Sequence, residues 1–140
     1  MTPDQLADLH RACFTMPRPW TAGEFTALMA GTGVFITAPT PTAFAMGRAI
    51  LDEVELLTLA VDPSARRTGL GAATLNAFEL EALRRGALRA HLEVAANNAA
   101  ARALYQTAGY CESGQRRGYY DAPNGAKIDA IILTKPLKRA

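Results

Sequence analysis

Two cysteines, two histidines and one tryptophan in 140 residues leave little of the chemistry that assigns a chain at a glance. Cys13 and Cys111 are too few and too far apart for a disulfide framework or a zinc knuckle, and are expected as reduced, core-type thiols of a cytoplasmic protein. No apolar run approaches the ~20 residues of a membrane span. Met1 leads directly into Thr2-Pro3-Asp4, without the basic and then apolar stretch of a secretory leader, so no membrane partner is expected. Charge is nearly balanced, 15 Lys and Arg against 13 Asp and Glu, and the net +2 is too small for a direct nucleic-acid binder. Repeats and low-complexity segments are absent. What remains is an ordinary globular balance, 49% hydrophobic and 20% charged, in a length that suits one domain over residues 1–140.

Against that background one segment stands out. Residues 54–61 read as an apolar strand stopped by Asp62-Pro63, and residues 70–85 read as a helix closed by Gly86. Between them lies Arg66-Arg67-Thr68-Gly69-Leu70-Gly71-Ala72. A basic, glycine-containing turn at a helix N-terminus presents unpaired N–H groups and a partial positive charge to an anion. The segment has neither G-x-G-x-x-G nor G-K-S/T, which excludes a dinucleotide fold and a nucleoside triphosphatase. What it matches is R-x-x-G-x-G/A. A tight connection in which Gly69 and Gly71 only relieve crowding is the alternative.

The rest of the chain reads as further alternating elements. Thr2 or Asp4 caps a helix carrying Leu6, Leu9 and Cys13, and residues 14–20, with two prolines, end it. Thr21 and Glu24 form a capping box for a second helix with Phe25, Leu28 and Met29 on its apolar face. Strands follow at residues 34–37 and 43–50, with the turn at residues 39–41. Residues 88–94 alternate, with Leu88, Ala90, Leu92 and Val94 on one face and Arg89, His91 and Glu93 on the other. Asn97 or Asn98 starts a helix containing Tyr105, and a hairpin across Asn124-Gly125 ends the chain. The order α-α-β-β-β-α-β-α-β-β specifies an α/β (α+β) mixed sheet flanked by helices, not an alternating array.

Several pieces now stand in a telling order: Phe14 with Pro19-Trp20-Thr21 and Phe25, then Leu59-Ala60-Val61-Asp62-Pro63 leading into Arg66-x-x-Gly69-x-Gly71. After them come Leu92-Glu93-Val94, Asn98-Ala99-Ala100-Ala101 with Leu104-Tyr105 and Gly109-Tyr110, and Arg116-Arg117-Gly118-Tyr119-Tyr120 before Asp129-Ala130-Ile131-Ile132-Leu133. Together they resemble the GNAT-superfamily N-acetyltransferases, and within them the RimI-type ribosomal-protein N-terminal alanine acetyltransferases. The resemblance implies a GNAT fold: a largely antiparallel six-stranded sheet with a central parallel splayed pair, about four helices, and no counterpart of the family's N-terminal strand. That last departure leaves residues 34–37 as an edge and implies a monomer or a weak homodimer.

The resemblance further implies acetyl-CoA as cosubstrate and no metal. The pyrophosphate would rest on the backbone of Arg66, Arg67, Thr68, Gly69, Leu70, Gly71 and Ala72. The pantetheine arm would follow Leu59, Ala60 and Val61, with Asn98 and Tyr105 beside it. Glu93 would be the general base, acting through a water, and Tyr105 the acid that protonates the leaving thiolate. The acceptor implied is the N-terminal α-amine of a protein, a small-subunit ribosomal protein first. Trp20, Tyr119 and Tyr120 would line its groove. A small amine as acceptor and a non-catalytic acetyl-CoA-binding domain are the competing readings. From the residues alone, Glu93 can equally be a solvated strand carboxylate and Tyr105 core packing. A relay role for His91 is the weaker alternative to a structural one, and Glu53 and Glu55 are second candidates for the base.

Overall fold

Both N-terminal helices start where side chains supply the missing hydrogen bonds. Thr2 and Gln5 cap α1 (Pro3–Cys13) reciprocally, and Thr21 and Glu24 do the same for α2 (Ala22–Met29). Arg18 grips the Glu24 carboxylate through both oxygens, at 2.7 and 2.8 Å. These elements belong to a computed structural model that describes residues 1–14 and 18–138. Thr15, Met16 and Pro17, part of the expected break after α1, lie outside the described residues.

Six strands follow: β1 (Val34–Thr40), β2 (Ala43–Ile50), β3 (Glu53–Val61), β4 (Arg89–Ala95), β5 (Cys111–Asp121) and β6 (Lys127–Pro136). They form one sheet in the order β1-β2-β3-β4-β6-β5, antiparallel except for β3 and β4. A single 3-10 turn (Pro63–Ala65) joins β3 to α3 (Leu70–Arg84), and α4 (Ala99–Thr107) connects β4 to β5. The parallel pair sits mid-sheet, with α3 as its crossover. The mixed sheet and four helices are those expected from the sequence.

Each sheet face buries its own core. Phe35, Val54, Leu56, Ala90, Leu92 and Val94 pack with Leu75 and Phe78 of α3 and Tyr105 of α4. On the other face Phe44, Met46 and Ala60 pack with Leu6 and Leu9 of α1 and Phe25 of α2. Within β3 the two faces exchange phase. Met46 pairs with Thr58 but Gly47 pairs with Leu56, so Leu57 is an extra, bulged residue. Ahead of the bulge, Val54 and Leu56 face α3; beyond it, Ala60 faces α1 and α2, while Leu59 takes the α3 side. One inserted residue inverts every later side chain, as the period of two requires.

Several boundaries move from their sequence positions. β1 runs on to Thr40, past an irregular step after Thr37, so the turn into β2 falls at Pro41 and Thr42. Pro39 is tolerated because β1 is an edge strand, paired only with β2 among the described residues. Leu88 lies outside β4 and is 59% exposed, its N–H spent on the Asp52 carbonyl. Met29 is exposed at the end of α2, which leaves Phe25 as its buried residue. Cys111 is exposed on the edge strand β5 and is no core thiol, whereas Cys13 is half-buried.

Gly47 sits beneath the stacked rings of Phe35 and Phe78, whose centroids are 5.8 Å apart. A Cβ there would meet Phe78 Cε1 at 2.6 Å and Phe35 Cζ at 2.7 Å. Gly47→Ala is expected to destabilise the fold by about 2 kcal/mol through overpacking, read as a lower urea midpoint with an unchanged m-value.

Candidate active site

Parallel pairing between β3 and β4 covers only Glu53, Val54 and Glu55 against Arg89, Ala90 and His91. Past that point β3 stays with β2 as far as Val61 and β4 stays with β6 as far as Ala95, so the two strands part. The gap opens into a cleft of ≈ 410 Å³. Its walls include Leu59, Ala60 and Val61 from β3, Glu93 from β4, and Asn98 and Tyr105 from α4 and its cap. The backbone edge of β3 along this gap has no neighbouring strand, and buried peptide groups need partners.

One end of the cleft has the makings of an anion site. Arg66, Arg67, Gly69, Leu70 and Gly71 line it. Arg67 and Gly69 hold φ of 64° and 80°, which turns the chain sharply into α3. Gly69 is the N-cap and offers no side chain, so the first N–H groups of a 15-residue helix remain free for a ligand. A Cβ on Gly71 would stand 3.5 Å from Leu104, ordinary contact, and one on Gly69 would meet nothing within 4 Å, so relief of crowding is not what these glycines serve. Thr68 turns its hydroxyl back to the Ala65 carbonyl at 2.7 Å, and Ala72 is exposed in the first turn of α3; neither side chain lines the cleft.

Glu93, Tyr105 and Tyr120 meet at the same cleft. Glu93 stands within β4, not at its end, and its Oε1 takes the Arg116 Nε of β5 at 2.9 Å across the intervening β6. Tyr105 is buried, and burial pushes its phenol well above the usual range, so it carries its proton. Burial, then the Glu93 charge, pushes the Tyr120 phenol up to about 12. Asn98 Oδ1 accepts the Ala101 N–H at 3.1 Å, which caps α4 and leaves the amide nitrogen for another partner.

Trp20 lines the cleft but Tyr119 does not. Residues 117–119 bulge opposite Asp129, whose Oδ1 accepts the Gly118 N–H at 2.8 Å, and this turns Tyr119 outward over the Arg116 guanidinium. The second candidates for the base separate from the site as well. Glu53 and Glu55 lie in the still-paired stretch of β3, outside the cleft, with Glu55 held by Arg48 at 2.8 Å. His91 pairs with Glu55 there and is likewise outside. Among the described residues no cluster of three or more His, Cys, Asp or Glu could hold a metal ion, and no helix is long and apolar enough to cross a membrane.

Sequence reading passed over His10. It is 1% exposed, yet it lines the cleft beside Trp20 and Thr58. Its Nδ1 accepts the Trp20 N–H at 3.0 Å, so in the neutral ring the proton sits on Nε2 and is donated to Thr58 Oγ1, also at 3.0 Å. Phe14 and Trp20 stack on the ring, with centroids at 4.3 and 5.0 Å. The signal was present: Leu6, Leu9, His10 and Cys13 fall at i, i+3, i+4 and i+7, one face of a helix. Cys13, one turn on, donates its thiol to the Val61 carbonyl at 3.1 Å.

A split sheet whose gap runs from a basic, uncapped helix start to a carboxylate and a protonated phenol defines a class of α/β domains with an elongated cleft mid-sheet. Residues 4–110 match the acetyltransferase (GNAT) family, and the chain belongs to that family. Over 95 residues it is 45% identical to the ribosomal protein bS18-alanine N-acetyltransferase of Escherichia coli, a stretch of 68% of this chain and 64% of that relative's length. The crystal structure of the E. coli ribosomal-protein-S18-alanine N-acetyltransferase superposes with a TM-score of 0.86 at 34% identity, covering 99% of this chain and 89% of that one. An Arabidopsis thaliana NAA60 structure in complex with acetyl-CoA shares the fold, with a TM-score of 0.80 at 18% identity over 97% of this chain and 93% of that one.

Burial lowers the His10 pKa from 6.5 to about 4, against the opposing pull of Glu24. The unfolded chain therefore binds a proton that the folded chain refuses. The contribution of His10 to stability is full above pH 6.5, falls as pH drops toward 4, and is flat below that, a loss of roughly 3 kcal/mol. Urea unfolding at stepped pH should show a steeper fall between pH 6.5 and 4 in the native protein than in His10→Phe.

Proposed function

We propose that this domain transfers the acetyl group of acetyl-CoA to the N-terminal α-amine of a protein, a small-subunit ribosomal protein first. The observation that carries the reading is the single cleft joining the uncapped start of α3 to Glu93, Tyr105 and Tyr120. The 45% and 34% identities to ribosomal-protein alanine N-acetyltransferases support it.

The residues present fit such a ligand. Free N–H groups at Leu70, Gly71 and Ala72, flanked by Arg66 and Arg67, suit a pyrophosphate, and the open backbone edge at Leu59, Ala60 and Val61 suits an amide-bearing arm. Acetyl-CoA supplies an activated thioester. Glu93 takes a proton, through a water, from the acceptor ammonium, whose ordinary pKa is about 7.7–8.0. Arg116 pairs with Glu93 Oε1, which leaves Oε2 to take that proton. The freed amine adds to the thioester carbonyl, and a backbone N–H on the open edge of β3 steadies the oxyanion. As the carbon–sulfur bond then breaks, Tyr105 gives its phenolic proton to the departing sulfur, and the second proton, shed by the acylated nitrogen, restores the phenol. Trp20 and Tyr120 flank the acceptor end of the cleft.

Thiol release from acetyl-CoA, measured against a panel of N-terminal peptides and small amines, tests the reading. Peptide-dependent turnover supports it. Turnover of small amines alone moves the acceptor class, and tight coenzyme binding without turnover leaves a binding domain. Within the same assay Tyr105→Phe is expected to lower kcat by about a hundredfold while leaving coenzyme affinity unchanged. Unaltered turnover would remove Tyr105 as the acid.

A further inference from the structure

Three segments of the fold meet at one imidazole. α1 supplies His10, the approach to α2 supplies Trp20, and β3 supplies Thr58, the first residue beyond the bulge at Leu57. All of these residues line the cleft. The bulge is what brings Thr58 to this side of the sheet; without it the hydroxyl would point toward α3. Both ring nitrogens are engaged within the wall, and the ring is sealed between Phe14 and Trp20, with Phe25 edge-on at 5.5 Å.

We propose that His10 is a positioning residue for the acceptor: by tying the Trp20 backbone to Thr58 it sets the cleft wall against which the acceptor's first residues lie. The inference rests on the acetyl-transfer reading. It assigns His10 to one side of the cleft only. The coenzyme side, with its open edge at Leu59, Ala60 and Val61, is held by pairing with β2 and by the Cys13 thiol on the Val61 carbonyl, bonds in which the ring takes no part.

The test compares His10→Phe, which keeps a stacked ring but accepts no hydrogen bond, with His10→Asn, whose Oδ1 can take the Trp20 N–H in place of Nδ1. In the native protein, KM values are measured for an acceptor peptide and for acetyl-CoA. His10→Phe is expected to raise the acceptor KM by about tenfold with the acetyl-CoA KM unchanged, and His10→Asn to recover most of that rise. Trp20 is the sole tryptophan, so acrylamide quenching of its emission reads the wall directly: stronger in His10→Phe, near native in His10→Asn. An unchanged acceptor KM, equal rises in both KM values, or an Asn variant no better than Phe would overturn the proposal. If the native protein turns over no peptide, the acetyl-transfer reading fails first. Equal Trp20 quenching in native and His10→Phe protein then overturns the role of His10 on its own. Should His10→Phe not fold, Thr58→Val removes the other partner at nearly constant volume; it is expected to raise the acceptor KM about threefold, and no rise overturns the proposal.

Discussion

The parting of β3 from β4 beyond Glu55 and His91 is the constraint on which the rest of the molecule depends. A sheet gains its stability by pairing every backbone group, and an orphaned group that is also dry costs about 1–3 kcal/mol. Here the centre of the sheet gives up that pairing over the last turns of two strands. Each strand stays fixed by its outer neighbour, β2 for one and β6 for the other. The gap is therefore a rigid opening between held walls, and its unpaired edge is a ready partner for an extended ligand.

The bulge at Leu57 sits where the strands begin to part, and it does two things at once. It adds local twist, which carries the end of β3 away from β4. It also exchanges the faces of everything after it, so Thr58 and Ala60 look toward α1 and α2. One extra residue thus opens the cleft and furnishes its wall. His10, Trp20 and Phe14 close over that wall as a stacked group with two hydrogen bonds through the imidazole.

Charge is small overall and concentrated where it is used. Arg66 and Arg67 flank the uncapped start of α3, while Arg116 on the far hairpin reaches over β6 to Glu93. In a nearly neutral chain, two arginines and the positive end of the helix dipole thus converge at one turn. The opposing pair at Glu93 keeps that carboxylate oriented within the cleft.

Much of this was legible in the residues. A cap at Thr2 or Asp4, the capping box at Thr21, the stop at Asp62-Pro63 and the glycines of residues 69–71 are local signals, and locally determined structure followed them, with Thr2 as the first cap. Glu93, Asn98 and Tyr105 could be placed near one another because strand, cap and helix are consecutive in the chain. The bulge left no sequence mark, since an apolar run such as Val54-Glu55-Leu56-Leu57-Thr58-Leu59 reads the same in either phase. The Tyr119 and Tyr120 directions depend on a carboxylate, Asp129, on another strand. By itself, then, the sequence determined the elements, their order and the basic glycine turn before α3, all set by interactions within a few residues. Tertiary structure alone decided which side each β3 side chain faces, that Arg116 meets Glu93, and that His10 joins three segments. Those outcomes rest on register and packing between strands and helices far apart along the chain.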